Sequence, residues 1–305
     1  MKIILTGGTG FIGKALLDRL LELEHRVVLL TRNPMQGKFL LKGYGEAQQW
    51  DGETEGPWTN HFESADAVIN LAGESIVAKR WTTQQKARII SSRIKATKAI
   101  ANAIAKAGKK PAVFVNASAM GYYGNVENGD VTESDPHGTG FLAETCEQWE
   151  SQAREAEKSG VRVVLTRIGI VLEKNGGALQ RMLLPFRFFM GGHLGSGKQW
   201  FSWVHREDIV EAIIFLLNQP TVSGPVNLVS PNPVTMKEFC KTLGKVMGRP
   251  SWAPVPAFML RLLLGEMSEM LLTGQRVIPK KLQDAGYRFK YPNLEDALRA
   301  ILKES

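Results

Sequence analysis

The sequence predicts an α/β protein: a Rossmann-type doubly wound parallel sheet with a smaller C-terminal substrate region. Three observations predict it. The first half of the chain alternates short apolar runs with helical patterns, and a glycine-rich turn joins the first run to the first helix. After about residue 172 the alternation stops, and Gly and Pro become frequent.

The alternating half contains five predicted strands and three predicted helices. The strands are Lys2–Thr6, Arg26–Thr31, Ala67–Leu71, Ala112–Ala117 and Val161–Arg167. The helices are Phe11–Leu23, Thr83–Ala107 and Phe141–Lys158. Further helices are predicted at Arg206–Leu217, Thr235–Met247 and Asn293–Leu302. We therefore expect a cofactor-binding domain at residues 1–172, substrate-region elements at 173–253 that return in part to the sheet, and a small helical domain at 254–305.

Composition narrows the class of partner. The net charge is +8, but Lys and Arg are scattered singly without a basic run, so we expect no nucleic-acid partner. No apolar stretch is long enough to span a bilayer or to serve as a signal peptide, so we expect no membrane partner and a cytoplasmic location. The two cysteines fit a reducing compartment. A small-molecule substrate is expected, and a homodimer is left open.

The turn from Thr6 to Gly13 reads T-G-G-T-G-F-I-G and has the features of a diphosphate site. Gly7 permits the tight turn, Gly10 lets the backbone approach the pyrophosphate, and Gly13 allows close packing of helix on strand. The helix that follows presents unpaired N–H groups to the anion. Its place between a strand and an amphipathic helix indicates a dinucleotide site.

An NTPase phosphate loop is the rival interpretation of the same residues. Gly8 through Lys14 reads G-x-x-x-x-G-K, but the next residue is Ala15, where a Ser or Thr would hold magnesium. The strand that ends near Leu71 also lacks a carboxylate for the metal. The NTPase interpretation is therefore disfavoured.

The end of the second strand bears on the choice of cofactor. NAD enzymes usually place an Asp or Glu there to bind the ribose 2′-hydroxyl. Here the strand ends at Thr31 and is followed by Arg32, whose guanidinium can fork onto a 2′-phosphate. The sequence therefore favours NADP(H), with an idle exposed arginine as the alternative.

With these residues in view, the chain resembles the extended short-chain dehydrogenase/reductase superfamily, also known as the NAD-dependent epimerase/dehydratase superfamily. It is most similar to the atypical "epimerase family protein" branch, which carries its own small C-terminal domain. The matching segments are the glycine turn, Asn70–Gly73, Ser92–Arg93, Ala117–Gly124, Gly195–Gln199, Trp203–His205 and much of 254–302.

The resemblance implies a cofactor site, with one of two arginines on the long helix included. Its residues are Gly7, Thr9, Gly10, Phe11, Ile12, Gly13, Thr31, Arg32, Leu71, Ala72, Gly73, Arg88 or Arg93, and Val171. No metal site is expected, because the histidines and cysteines show no ligand spacing.

The superfamily's catalytic Tyr-x-x-x-Lys pair is absent. It should fall within Gly140–Cys146, which contains neither residue type. Ser118 is the counterpart of the superfamily's serine, and Tyr122 or Tyr123 are the candidate acids. If these tyrosines lie on a strand they point oppositely, so at most one would reach the site. Without a neighbouring cation, either would keep a pKa near 10.

The expected function is that of an oxidoreductase or epimerase acting on a small molecule with NADP(H). The missing pair supports an alternative of a different class, a non-catalytic NADP(H)-binding redox sensor or scaffold.

Overall fold

The computed structural model describes residues 1–303. Glu304 and Ser305, the last residues of the predicted C-terminal domain, lie outside the described residues. The strands are β1 Lys2–Thr6, β2 Arg26–Thr31, β3 Gly45–Gln49, β4 Ala67–Asn70, β5 Val113–Ala119, β6 Asp130–Val131, β7 Arg162–Ile168, β8 Ile170–Leu172, β9 Trp200–Phe201, β10 Trp203–His205, β11 Gly224–Leu228, β12 Val234–Thr235 and β13 Arg276–Val277.

The α-helices follow in chain order, with short 3-10 segments between some of them. They are α1 Phe11–Glu22, α2 Pro34–Leu41, α3 Thr83–Lys106, α4 Phe141–Arg154, α5 Gly177–Arg187, α6 Arg206–Leu217, α7 Met236–Met247, α8 Ala257–Leu264, α9 Glu269–Leu272, α10 Lys280–Asp284 and α11 Leu294–Lys303. The 3-10 segments are Pro57–Ser64, Met120–Tyr123, Glu155–Ser159 and Gly265–Ser268.

Seven parallel strands form the central sheet in the order β11-β7-β5-β4-β1-β2-β3. The predicted doubly wound α/β class is confirmed. The chain runs outward from β1 to β3 on one side and then returns to β4 on the other side of β1. Such a reversal leaves a crevice at the carboxyl ends of the two strands, where ligands of these sheets bind.

Apolar side chains fill both faces of the sheet. One core joins α1 and α6 to the sheet through residues such as Leu16, Leu20 and Ile213. The other joins α3 through Ile100 and Ile104, with Trp58 and Phe62 closing its edge. The inner strands β1, β2, β4, β5 and β7 are almost wholly buried, which is why apolar runs mark them in the sequence.

The region beyond residue 172 is tied to the sheet at several points. β11 extends the central sheet beside β7, and β13 pairs with β6 of the first half. The C-terminal region is thus not purely helical. A third core is built from α5, α7 and α11 with Trp203 and Phe239 at its centre. Among residues 1–303, no helix is long and apolar enough to cross a membrane.

Candidate dinucleotide site

The carboxyl ends of β1 and β4 touch at the point where the strand order reverses. Gly7 follows β1 with φ +68°, and a Cβ placed on it would lie 2.5 Å from the carbonyl oxygen of Leu71, directly after β4. Only glycine accommodates both this backbone conformation and this contact. The predicted glycine turn and the Leu71–Gly73 segment therefore meet at the crevice.

The three predicted glycines serve different purposes. A Cβ on Gly13 would lie 2.1 Å from the carbonyl oxygen of Gly7, so Gly13 is required by the packing of α1 on the turn. Gly10 has an ordinary φ of −82°, and a Cβ on it would have a single neighbour within 4 Å, the Gly7 oxygen at 3.1 Å. Protein packing alone does not explain Gly10. The space beside it at the start of α1 is open, and a helix N-terminus is a favourable place for a diphosphate to bind.

The turn is closed by backbone hydrogen bonds. The amide of Gly10 donates to the Gly7 carbonyl at 2.9 Å, and the amide of Lys14 donates to the Gly10 carbonyl at 2.9 Å. Thr9 and Gly10 are exposed, whereas Phe11 and Ile12 are half-buried. The exposed part of the turn is thus the part that the prediction assigns to the phosphates.

Phe11 links the turn to the segment after β8. A Cβ on Gly176 would lie 2.5 Å from the Phe11 ring, and a Cβ on Gly177 would lie 3.2 Å from both that ring and the carbonyl oxygen of Val171. The guanidinium of Arg206 lies 5.6 Å from the centre of the same ring. Phe11 and the Val171 carbonyl thus both lie close to Gly177, and the role of Val171 in the cofactor site stays a prediction.

Arg32 lies directly beyond β2 and is exposed. Within residues 1–303 its side chain makes no hydrogen bond or ion pair. The preceding Thr31 is buried and accepts a hydrogen bond from the Asn33 amide at 3.2 Å, and Asn33 in turn caps α2. The backbone at the end of β2 is thus fixed while the Arg32 guanidinium is available to a ligand.

Arg93 and Arg88, both on α3, differ in their surroundings. The Arg93 guanidinium packs against Gly73, donates through Nη1 to the carbonyls of Glu74 and Ile89 at 3.0 Å, and lies 5.1 Å from the Trp149 ring centre. Burial lowers its pKa. Arg88 is exposed, and no hydrogen bond or ion pair in the described chain joins its side chain to the other predicted residues. The structure brings Arg93, and not Arg88, to the crevice wall.

A buried charged network occupies the carboxyl ends of β5 and β7, where Ser118 and Arg167 are register partners. The Arg167 guanidinium forks onto Glu150 of α4, with Nε–Oε1 at 2.8 Å and Nη2–Oε2 at 2.9 Å. Ser118 donates its hydroxyl to the same Oε1 at 2.7 Å. Burial opposes the charged guanidinium, but its hydrogen bonds and charge interaction with Glu150 outweigh it and raise the pKa of Arg167.

The two tyrosines adjoin this network, and two expectations about them are wrong. Tyr122 and Tyr123 lie in the 3-10 segment, not on a strand, and both rings face Arg167, with its Cζ 3.4 Å and 4.9 Å from their centres. A cation is therefore their neighbour. The pKa of Tyr123 is also not near 10, because burial raises it to about 12.

Both hydrogen-bonding capacities of the Tyr123 hydroxyl are used within the protein. It accepts from Arg167 Nη1 at 2.8 Å and donates to Asn227 Oδ1 at 2.7 Å. Tyr122 is half-buried, and among the described residues its hydroxyl has no hydrogen-bond partner. Of the three candidate catalytic residues, Ser118 and Tyr123 are thus tied into the network, and the Tyr122 hydroxyl is free.

The segment expected to hold the catalytic pair begins α4, and the first three helical residues, Phe141–Ala143, are apolar. Phe141 packs edge-on against Trp81 with centroids 4.9 Å apart, and the Lys86 ammonium lies 5.1 Å from the Phe141 ring centre. Cys146, one turn further, is buried, and burial raises its pKa to about 11. Neither Glu150 nor Arg167 was predicted as a site residue. Arg167 is a charged residue within an otherwise apolar strand sequence, which is a signal, whereas Glu150 lies among polar helix residues and carries none.

No group of three or more His, Cys, Asp or Glu side chains among residues 1–303 is arranged to hold a metal ion. The site is therefore described by its glycine turn, the Leu71–Gly73 segment, Arg93, Arg32 and the buried network.

Comparison with known proteins relates this geometry to a family. The profile described as the NAD dependent epimerase/dehydratase family matches residues 3–228, and a domain of unknown function, DUF1731, matches residues 255–301. The chain is 43% identical over 308 residues to the Arabidopsis thaliana epimerase family protein SDR39U1 homolog, chloroplastic, and the match covers 99% of this chain and 87% of that protein. It is 41% identical to the Bacillus subtilis epimerase family protein YfhF, covering 100% and 99%.

A solved structure is similar over its full length. The crystal structure of human epimerase family protein SDR39U1 (isoform2) with NADPH superposes with a TM-score of 0.89 at 34% identity, and the match covers 100% of both chains. The resemblance inferred from the sequence motifs is thereby confirmed.

Proposed function

The chain belongs to the NAD dependent epimerase/dehydratase family, and on this premise we propose that it binds NADPH and acts as an oxidoreductase or epimerase on a small molecule. The observation that carries the proposal is the crevice between β1 and β4, where packing explains Gly7 and Gly13 but leaves open space beside Gly10. A human relative of the same branch was solved with NADPH.

The residues around the crevice fit the parts of a dinucleotide. The exposed amides at the start of α1 would hold the diphosphate, and Arg32 would meet the 2′-phosphate. Arg93, positioned by its bonds to Glu74 and Ile89, keeps N–H groups for the ligand on the wall beside Gly73. The nicotinamide supplies or accepts a hydride when the cofactor is bound.

The preference for NADPH over NADH is tested by titrating both nucleotides against the unmodified protein, Arg32→Ala and the control Lys38→Ala. Lys38 is exposed on α2, the helix that follows Arg32. A charge-assisted hydrogen bond is worth roughly 1.5–3 kcal/mol, so Arg32→Ala should lose about tenfold or more in NADPH affinity. NADH affinity, and both affinities of the control, should not change. Equal affinities of the unmodified protein for the two nucleotides would contradict the assignment.

Tyr122 is our candidate for the proton donor. Its hydroxyl is the one among the three candidate side chains that has no partner in the described structure, and its ring lies against Arg167. Ser118 gives its proton to Glu150, so it cannot donate to a substrate carbonyl at the same time. We therefore expect slow turnover that depends on the Tyr122 hydroxyl.

Turnover is tested by mixing the NADPH-loaded protein with a panel of carbonyl compounds and sugar nucleotides and following the nicotinamide absorbance. Slow oxidation that Tyr122→Phe abolishes and Tyr123→Phe preserves would support the assignment. Rapid oxidation by a protein carrying both changes would exclude both tyrosines.

A non-catalytic NADP(H)-binding sensor or scaffold is the second candidate. The specific observation in its favour is the apolar start of α4, with Phe141 against Trp81 where the family's catalytic pair would fall. For this role we expect firm NADPH binding and no oxidation of NADPH with any compound of the substrate panel. The cytoplasmic location and the homodimer stay predictions.

A further inference from the structure

Exposed apolar side chains are concentrated in one part of the molecule. Nine of the fifteen exposed large hydrophobic residues in the described chain lie in two segments beyond residue 172. We call them together the apolar-basic face: Leu184, Phe188, Phe189, Met190, Trp252, Phe258, Met259, Leu262 and Leu263. They stand far out of the surface, since Leu262 is 76% exposed, Phe188 69% and Trp252 66%. A concentration of this kind marks an interaction surface.

The two segments run side by side. Gly191 bridges to Ser251 and Leu194 to Val255, both in parallel. The Trp252 backbone amide donates to the Gly191 carbonyl and its indole Nε1 donates to the Phe189 carbonyl, both at 2.9 Å. These bonds hold Trp252 beside the Phe188–Met190 turn, so the turn and Trp252 form one built surface, and α8 follows five residues later.

The turn presents Phe189 in an unusual way. Its φ is +60°, a left-handed conformation that bulky residues rarely adopt. The Arg249 guanidinium lies 4.3 Å from the Phe189 ring centre. A surface aromatic that is kept out of the core by a strained backbone, beside a cation, is better explained by a partner than by packing.

The charge of the same two segments is one-sided. Residues 174–206 hold five Lys and Arg, and residues 239–265 hold four, with no Asp or Glu in either. Outside them the chain holds 29 Lys and Arg against 30 Asp and Glu, so the net positive charge of the protein lies here. Arg206, Lys245 and Arg261 pair with acids from other segments. In the described chain, Arg187, Lys198, Lys241 and Arg249 form no ion pair.

We propose that the apolar-basic face binds peripherally to a membrane surface of anionic lipid. Protruding Trp, Phe and Leu side chains enter the boundary between headgroups and acyl chains, and nearby Lys and Arg attract anionic headgroups. A second copy is a poor occupant, because a twofold contact would set basic residues against basic residues. The expectation of no membrane partner rests on the lack of a spanning stretch, and a surface contact needs none.

The test is flotation of the full-length protein with vesicles. Vesicles of phosphatidylcholine with about one third phosphatidylglycerol should carry the protein, and pure phosphatidylcholine vesicles should not. Binding should weaken as salt is raised, since part of the attraction is electrostatic. Failure to float with the anionic vesicles, or equal flotation with both, would overturn the proposal. Binding to soluble poly-glutamate without flotation would overturn it in favour of an acidic protein partner.

Paired variants locate the contact. Phe189→Asn combined with Trp252→Ser should lower vesicle affinity by about tenfold or more, because two apolar anchors are removed. Asn is chosen because it tolerates positive φ. The control is Phe39→Ser on α2, where Phe39 is 82% exposed, and it should leave vesicle affinity unchanged. An equal loss of vesicle affinity in the control and in the double variant would show that the contact is not at Phe189 and Trp252.

The charge contribution is tested separately. Arg187→Gln and Arg249→Gln should each weaken binding to anionic vesicles by about fivefold, and Lys38→Gln on α2 should not. Unchanged melting temperature and NADPH affinity in all of these variants would show that the fold and the dinucleotide site are intact. Membrane binding and the proposed dinucleotide binding can thus fail independently. Undiminished vesicle binding by Arg187→Gln and Arg249→Gln would contradict the proposal that these residues attract anionic headgroups.

Discussion

The carboxyl ends of β1 and β5 lie at the same edge of one sheet, yet they are built by opposite means. The β1 end is made of backbone: Gly7 and Gly13 are required by close contacts, and the exposed backbone at Thr9 and Gly10 has open space beside it. The β5 end is made of buried charged side chains that bond to one another, with Glu150 shared by Ser118 and Arg167. The β1 end is open to a ligand, whereas the polar side chains at the β5 end already have their hydrogen-bond partners within the protein.

This difference teaches that the residues open to the ligand and the residues that hold the fold together are largely different ones. Substitutions in the exposed part of the glycine turn should affect nucleotide binding and leave folding intact. Substitutions that remove either member of the Glu150–Arg167 pair should destabilise the fold before they reveal anything about chemistry, because a buried charge left without its partner is strongly unfavourable.

The largest expected effect is on binding. Gly10→Val should lower NADPH affinity by a factor of about 100 or more, because its side chain takes the space that the diphosphate needs. Its stability should fall much less than its affinity, since the φ of −82° is allowed for any residue and the one close neighbour of its Cβ is the Gly7 oxygen at 3.1 Å. Calorimetric titration and thermal unfolding measure the two effects.

Gly13→Ala is the matched control for that variant. Its Cβ would fall 2.1 Å from the Gly7 oxygen, so this variant should lose stability as well as binding. Unchanged NADPH affinity in Gly10→Val would place the phosphates elsewhere. Equal destabilisation by both substitutions would remove the distinction between an open and a packed glycine.

The second prediction concerns the network. Glu150→Ala should lower the free energy of unfolding by about 3–5 kcal/mol, because it strands the buried Arg167 guanidinium. Glu147→Ala, an exposed position one turn earlier on α4, is the control and should change stability little. Urea unfolding followed by circular dichroism measures both. A loss of less than about 1 kcal/mol in Glu150→Ala would show that the pair is dispensable.

The backbone end of the site was the more predictable from sequence. β1, β2 and α6 have the predicted bounds, and α1 and α3 end one residue early. The periodicity of apolar residues and the turn residues are local signals, and spaced glycines between a strand and a helix are typical of a dinucleotide site. The edge strand β3 was missed because its sequence, G-E-A-Q-Q, is polar. The strand β11 was missed because it opens with Gly-Pro.

The network was not predictable, because it depends on register. Ser118 meets Arg167 only through the pairing of β5 with β7, and Glu150 reaches both from a helix. Similarly, the sequence does not show that a 3-10 segment, and not a strand, carries Tyr122 and Tyr123. The charge asymmetry of residues 174–206 and 239–265 was readable, but a search for basic runs overlooks segments defined by missing acids.

The third prediction concerns the stability of the protein at alkaline pH, where the two tyrosines beside Arg167 should differ. The folded-state pKa of Tyr123 is raised to about 12, above the unfolded value near 10, so its contribution is complete below pH 10 and is lost as pH rises toward 12. That contribution is at most about 2–3 kcal/mol. Tyr123→Phe should therefore show a shallower fall in stability between pH 10 and 12 than Tyr122→Phe. Identical slopes in the two variants would contradict the raised pKa.

The smallest expected effect belongs to Ser118, and it separates a structural from a catalytic role. Ser118→Ala removes one hydrogen bond from Glu150, which keeps its two bonds to Arg167, so stability should fall by only about 1 kcal/mol. NADPH affinity should not change, because the hydroxyl is bonded within the network. The comparison variant Ser92→Ala removes the hydroxyl that accepts a hydrogen bond from the Glu74 amide, next to Gly73, and should weaken NADPH binding instead. If turnover with any substrate fell a hundredfold in Ser118→Ala at unchanged stability, Ser118 would belong to the chemistry, and the β5 end would be less closed than its hydrogen bonds indicate.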